Sequence, residues 1–398
     1  MFWIILAAML IFSGCGKDIV MTPKLQYSSP VPVRVQAKEK PETGEDVYKS
    51  VNFDTVKAVW ISYLELSKIV TAGDKQFRNE FSDMCDNCSS LGINTLYVHV
   101  RTFGDAFYPS KYYPSTKAFC GNVFDALEIM VEEAHKRGLS FHAWINPLRC
   151  ESEEYIENIS DEYLIKKWYD DPDEFPDYIV GVEETGHYWL DPAVKEVRQL
   201  ICDGVYEIVD RYDVDGIHID DYFYPTVQPS FDSKQYNLSG TELPLNDWRF
   251  ENCSEMVKGI YSAVKKANKT VEFSVSPQGN VYNNYNYLFA DVRRWCSEEG
   301  YCDCIVPQIY YGYENVIKTF DETINEWKEF SGCKKLVIGI GAYKIETVDE
   351  FINETGIIAR QGRLALENAD GIALFSYASL FENDRGKEEC DELAKLLK

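Results

Sequence analysis

Histidine is scarce in this chain, with 5 in 398 residues. The pairs Cys85-x-x-Cys88 and Cys302-x-Cys304 have no second cysteine pair or histidine cluster at zinc-site spacing. A structural metal is therefore not expected. Basic residues are outnumbered, 40 Lys and Arg against 65 Asp and Glu, leaving a net charge of −25. Such a surface repels phosphate backbones, which argues against nucleic-acid binding. The apolar run from Phe2 to Ser13 is too short to span a bilayer once the protein is mature. No glycine-rich phosphate loop follows the first predicted strand, which disfavours an open, doubly wound dinucleotide fold.

What is present is ordinary globular usage, 45% hydrophobic and 26% charged, in a chain long enough for one barrel or two common domains. Aromatics make up 14%, with 27 Tyr. Aromatic faces stack on the apolar C–H faces of sugars, so the excess suits a sugar-gripping site as well as core packing. The acidic balance favours solubility and would also attract a cationic substrate such as an amino sugar.

The N-terminal stretch Ile11-Phe12-Ser13-Gly14-Cys15 resembles a lipobox, the site where bacterial lipoproteins are cleaved and acylated on cysteine. Residues 1–15 are read as a lipoprotein signal peptide with Cys15 as the lipidation site. The partner this implies is a membrane, reached through the lipid anchor on the outer side of the cytoplasmic membrane. Residues 16–56, with Pro23, Pro30, Pro32 and Pro41 and no sustained period, read as a flexible tether. The other eleven cysteines are expected as buried free thiols, since connectivity cannot be deduced from spacing.

From residue 57 to 398, short β-rich runs alternate with longer amphipathic ones. Strands are predicted at Lys57–Ser62, Asn94–Arg101, Ser140–Asn146, Gly216–Asp220, Val271–Ser276, Cys304–Tyr310, Leu336–Ile340 and Ile372–Ser376. Helices are predicted at Lys75–Leu91, Val123–Arg137, Ala193–Tyr212, Asp247–Ala267, Leu288–Glu299, Val316–Phe330, Val348–Glu367 and Lys387–Leu397. Eight pairs with no spare elements predict an α/β fold, a single (β/α)8 TIM barrel with extended loops after strands 3 and 4. Strand alternation sends Ile217 and Ile219 toward the helices and His218 and Asp220 inward. The last inward residue of a barrel strand reaches the catalytic mouth. By this parity the mouth holds Arg101, Asn146, Asp220, Ser276 and Gln308, a set too polar for packing.

The strongest local signal runs from Asp213 to Pro225, where a strand ends in Asp220-Asp221 and continues into Tyr222-Phe223-Tyr224. Glycoside hydrolysis uses two carboxyl groups, an acid for the leaving oxygen and a nucleophile or base on the other face. A close pair also splits pKa values, which helps one member stay protonated.

This segment resembles the signature of a glycosyl-hydrolase-like family, the family 10 glycosylhydrolases, bacterial barrel proteins commonly exported as lipoproteins. The similarity extends over Lys57-Ala58-Val59-Trp60, Val98-His99-Val100-Arg101, Gly104-Asp105-Ala106-Phe107-Tyr108-Pro109-Ser110 and His142-Ala143-Trp144-Ile145-Asn146-Pro147 with Arg149. Trp189-Leu190-Asp191-Pro192, Ser276-Pro277 and Pro307-Gln308-Ile309-Tyr310 also match. The resemblance implies a barrel acting on glycosidic bonds, with Asp220 as its catalytic carboxyl.

For the second carboxylate the candidates are Asp221 first and Asp105 second, with Glu183 and Glu184 behind them, because the fifth strand ends in Ser276-Pro277 without a Glu. Arg101 and Arg149 suit a carboxylate or lactyl group, since a guanidinium forks two hydrogen bonds. Trp144, Tyr222, Tyr224, Tyr310 and Tyr311 are candidate sugar platforms, and Asn146 and Gln308 suit hydroxyl groups. His142 is kept as a binding candidate, although it and His218 lie a layer or more below the mouth.

The function expected is hydrolysis of an extracellular or cell-wall polysaccharide, peptidoglycan foremost, by a monomer needing no cofactor. Two rivals stay open. One is a non-catalytic glycan-binding lipoprotein. The other is a metal-dependent hydrolase, such as a deacetylase, using His142, His218 and Asp220.

Overall fold

The computed structural model describes residues 48–332 and 334–398. Cys15, the expected lipidation site, and most of the segment read as a tether lie outside the described residues. Its strands are β1 (Val56–Ile61), β2 (Thr95–Arg101), β3 (Ser140–Ile145), β4 (Ile179–Val182), β5 (His187–Leu190), β6 (Gly216–Ile219), β7 (Glu272–Val275), β8 (Cys304–Ile305), β9 (Lys335–Gly341) and β10 (Gly371–Phe375). Eight of them close in the order β1-β2-β3-β6-β7-β8-β9-β10, with β10 pairing back onto β1. Every pair in the ring is parallel. This is the (β/α)8 barrel that the alternation predicts.

Parallel strands covered by helices are buried on both faces, and two apolar clusters result. Leu96, Val98, Phe141, Ala143, Ile217 and Ile219 face the helices. Tyr97, Trp60, Trp144, Ala58, Val306 and Val337 fill the barrel interior. The helix Asp74–Leu91 shows how the outer layer docks. It buries Phe77, Phe81, Met84, Cys85, Cys88 and Leu91 at helical spacing, then ends at Gly92 with φ 96°. A methyl group there would lie 2.9 Å from the Leu397 carbonyl oxygen, so the end of the last helix can approach this one so closely only because residue 92 is glycine.

Three departures from the predicted elements have local causes. β8 stops at Ile305 instead of running to Tyr310, because Pro307 has no N–H for the ladder. Pairing resumes only as single bridges from Gln308 to Gln278 and to Gly339. The helix expected over Val348–Glu367 is two, Asp349–Asn353 and Ile357–Asn368, parted at Gly356 with φ 86°. The expectation of no spare elements also fails. The antiparallel hairpin β4–β5 and the short helices Glu153–Glu157, Leu164–Asp170, Ser233–Ser239 and Val281–Asn286 are folded into loops at the strands' C-terminal ends.

At the opposite end of the barrel, residues 48–53 are tied down. Tyr48 and the Val51 amide donate to Asp215 Oδ1, each at 2.6 Å, and Asn52 Nδ2 donates to the Asp215 carbonyl at 3.1 Å. The described end of the segment read as tether is thus part of the barrel floor. Every described cysteine is a free thiol, most are buried, and Cys120 is exposed.

Candidate active site at the barrel mouth

Asp220 follows the last residue of β6 and is 4% exposed. Its Oδ1 accepts only a long bond, 3.4 Å, from the Tyr222 amide. Burial, reinforced by the negative charge of Asp221, pushes its carboxyl well above the usual carboxylate range. The Arg149 charge and the Trp144 indole oppose that rise. The indole N–H faces the carboxyl without meeting hydrogen-bond geometry, which leaves Trp144 Nε1 without a partner.

Asp221 is half-buried and differently held. Burial raises its pKa too, but side-chain hydrogen bonds from Gln308 and Gln278 work against the rise. Gln308 Nε2 donates to Asp221 Oδ1 and to the Ser276 carbonyl, both at 3.0 Å. Beyond the interruption at Pro307, Gln308 is held by its bridges to Gln278 and Gly339, which fixes the backbone from which this amide reaches Asp221. One carboxyl thus keeps its proton to higher pH than its neighbour, the division of labour that acid–base chemistry needs.

Around this pair the mouth is aromatic. Tyr310 is close enough for both aspartates to raise its phenol pKa beyond the effect of burial, and its ring packs on Phe375 and Tyr343. The Arg149 guanidinium lies between two rings, 4.4 Å from the Phe103 centroid and 4.8 Å from that of Tyr222. Asn146 is placed at the mouth but committed to structure. Its Oδ1 faces His99 Nε2 at 3.4 Å, and its Nδ2 donates to the Thr102 carbonyl at 3.3 Å.

Seven of the expected site residues are committed elsewhere or stand apart from the pair. Arg101 is turned outward because β2 carries a bulge: His99 pairs with Trp144 and Arg101 with Ile145, leaving Val100 as an extra residue. Its guanidinium, 0% exposed, stacks 4.2 Å over Tyr113, and a methyl at Gly204 would lie 2.4 Å from its Nη1. Tyr224 is buried behind the loop between Phe231, Phe289 and Arg249. Tyr311 hydrogen-bonds the Asn280 backbone, which makes its ring a wall of the loop. His142 belongs to the floor, with Nε2 2.9 Å from Asn52 Oδ1 and 3.1 Å from Ser140 Oγ. Asp105 closes its own loop, its Oδ1 accepting from the Thr102 and Phe103 amides at 3.1 and 2.9 Å. Glu183 and Glu184 are exposed at the hairpin turn.

The His142, His218 and Asp220 metal constellation does not assemble. His218 Nε2 accepts from Trp60 Nε1 at 3.0 Å, so Nδ1 carries the proton and points to Ser274 Oγ at 2.7 Å. Burial drives its pKa well down, and it stacks flat on Tyr97 with centroids 4.1 Å apart. Among the described residues, no group of three His, Cys, Asp or Glu is placed to hold a metal.

Residues missing from the expected site are His99, which stacks on Trp144 and takes the mouth position that the bulge denies Arg101, and the loop residues Tyr63, Phe103 and His187. No periodicity marks loop residues. His99 was signalled only by its inward parity with Tyr97.

The profile of the Glycosyl hydrolase-like 10 family matches residues 55–354. Glycosyl hydrolase YngK of Bacillus subtilis strain 168 is 32% identical over 321 residues, which are 73% of this chain and 61% of that protein. Glycosyl hydrolase DigH of Escherichia coli is 32% identical over 291 residues, 66% of this chain and 65% of that protein. The chain therefore spans a little under two thirds of the length of these curated relatives. Among solved structures, the PgaB (BpsB) glycoside hydrolase domain from Bordetella bronchiseptica superposes with a TM-score of 0.61 at 10% identity, covering 85% of this chain and 99% of that one. The catalytic domain of a β-amylase from Paenibacillus polymyxa gives 0.57 at 11% identity, covering 88% and 100%. At such identities these two speak to the fold alone.

Proposed function

The chain belongs to the Glycosyl hydrolase-like 10 family, and on that premise we propose that it hydrolyses glycosidic bonds of an extracellular or cell-wall polysaccharide, with peptidoglycan the favoured substrate. The observation that carries this reading is the Asp220–Asp221 pair. Asp220, whose proton burial and its neighbour's charge favour, gives it to the leaving-group oxygen as the glycosidic C–O bond breaks. Asp221, raised by burial but less so because the Gln308 and Gln278 amides oppose the rise, takes a proton from the water whose oxygen bonds to the anomeric carbon. Tyr222 and Tyr310, each partly exposed, offer ring surface to the sugars, and Arg149 stands ready for a carboxylate substituent. Lipidation at Cys15 would hold the domain at the outer face of the cytoplasmic membrane, within reach of wall glycan.

The absence of a carboxylate at Ser276, the end of the fifth barrel strand, favours a second reading in which the barrel binds glycan without cutting it. One experiment separates the two. Full-length protein and its Asp220→Asn variant are incubated with purified peptidoglycan, native and chemically de-N-acetylated, and new reducing ends are counted. Hydrolysis by the wild type, lost in the variant at equal thermal stability, supports the enzyme. Equal glycan capture with no new ends from either protein overturns it in favour of the binding module.

A further inference from the structure

Beside the catalytic mouth lies a cavity of about 390 Å³ that none of the chemistry above uses. It opens over the C-terminal ends of β1, β2 and β3, and its walls include Tyr63, Phe103, Phe107 and Ala118. Its polar lining is small and uneven. Glu151 is 2% exposed on its side chain and is neutralised by Lys117 at 2.8 Å. Asp105 spends its Oδ1 on the Thr102 and Phe103 amides. Thr102, 1% exposed, has a hydroxyl that meets no partner at all. A buried hydroxyl left unpaired is unfavourable, so an arriving hydrogen-bonding atom would relieve it.

The cavity is continuous with the mouth through one side chain. Phe103 forms its wall, stacks on His187 with centroids 5.1 Å apart, and carries the Arg149 guanidinium 4.4 Å from its ring. Arg149 in turn covers Tyr222, whose amide reaches Asp220. A chain of sugars lying across Tyr222 and Arg149 would place its next ring against Phe103 and Tyr63. The loop needs glycine to make this wall: Gly104 has φ 66°, and a methyl there would lie 2.9 Å from Cys150 Sγ.

We propose that this cavity is a second sugar-binding subsite, taking an uncharged ring of the same glycan chain that occupies the catalytic mouth. Lys117 cancels the charge of Glu151, and Asp105 is turned to the amides of its own loop, so the lining holds no free cation for an anionic ligand and little that rewards a cation. The apolar walls and the free hydroxyl of Thr102 fit the mixed apolar and hydroxyl surface of a neutral sugar. The proposal rests on the glycan-directed reading of the mouth, whether the mouth cuts or only binds.

Cys120 supplies the test, because it is an exposed free thiol on the cavity's lining. In the full-length Asp220→Asn background, iodoacetamide modification of the Cys120 peptide is followed by mass spectrometry in the presence of N-acetylglucosamine oligomers of increasing length. Long oligomers are expected to slow modification several-fold, while the disaccharide leaves it unchanged. Ala118→Trp, which fills the cavity from its far wall, should abolish the affinity gained with length and leave cleavage of a short aryl glycoside as in wild type. Thr102→Val should weaken long-chain binding without loss of Tm. Unchanged Cys120 reactivity under saturating long oligomer, or full long-chain affinity in Ala118→Trp, overturns the subsite. Because the protection experiment needs no turnover, a protein that protects Cys120 yet releases no reducing ends refutes the hydrolase reading and leaves the subsite standing.

Discussion

Replacing Gln308 by Met probes how the carboxyl pair is divided. Methionine keeps the length of the side chain and removes both of its donors, the bonds to Asp221 Oδ1 and to the Ser276 carbonyl, each 3.0 Å long. A hydrogen bond to a charged group contributes about 1.5–3 kcal/mol. Losing the one to Asp221 therefore lowers its ionised-to-protonated ratio by roughly 10- to 100-fold, at about 1.4 kcal/mol per factor of ten. The sign is definite. Gln308 opposes the rise that burial imposes on Asp221, so the variant's Asp221 takes up its proton at higher pH. In a kcat/KM profile the acidic limb moves to higher pH, and activity there falls roughly 10- to 100-fold. The basic limb, set by Asp220, stays near its wild-type place because Asp221 is still charged at that pH. The Ser276 carbonyl also loses a donor, so a modest drop in Tm accompanies the change. A loss of activity equal at every pH would refute the division of roles, as would an acidic limb displaced downward.

Other outcomes follow from the same geometry. Asp221→Asn removes the charge that helps hold the Asp220 proton, so the Asp220 carboxyl band in an infrared titration shifts to lower pH; a band that stays put contradicts the coupling. Arg101→Met should leave kcat/KM unchanged and keep or raise stability, by up to about 3 kcal/mol in denaturant unfolding, because it removes a buried guanidinium with no ion pair among the described residues; a large fall in kcat would return Arg101 to the mouth. Asp215 is raised by burial but brought below its ordinary value by hydrogen bonds from His135, Tyr48 and the Phe141 and Val51 amides. A lowered folded pKa gives stability that is present above the unfolded value and lost as pH falls through the folded one. Asp215→Asn should thus cost roughly 2 kcal/mol near neutrality and flatten the loss of stability below about pH 4, as read from urea midpoints across pH.

Much of the architecture was legible because parallel barrel strands repeat a local physical pattern. Each of the eight predicted strands coincides with an observed one to within a residue or two, except where Pro307 cut β8 short. Proline's missing N–H at residue 307 marks that break in the sequence itself. Gly356 likewise marked the break in the helix expected over Val348–Glu367. The pairing of Asp220 with Asp221 at a strand end, and the aromatic loop after it, could be named from spacing alone.

What the chain order alone determined, then, was the alternation of strand and helix, the inward parity of His218 and Asp220, and the family signature around them. The first two follow from side-chain periodicity, which is a property of neighbouring residues, and the third from the resemblance of its motifs to a known family. The tertiary structure decided the rest. Only strand pairing between β2 and β3 reveals the bulge that turns Arg101 out and leaves His99 in its place. Only closure of the ring brings Gln308, 87 residues away in sequence, onto Asp221 and so separates two adjacent carboxyls in acidity. Tyr224 looked like Tyr222 in sequence, yet packing sent it behind the loop, among Phe231, Phe289 and Arg249. Burial and long-range contacts depend on the whole fold, and a residue's local pattern does not encode which neighbours will exclude its water.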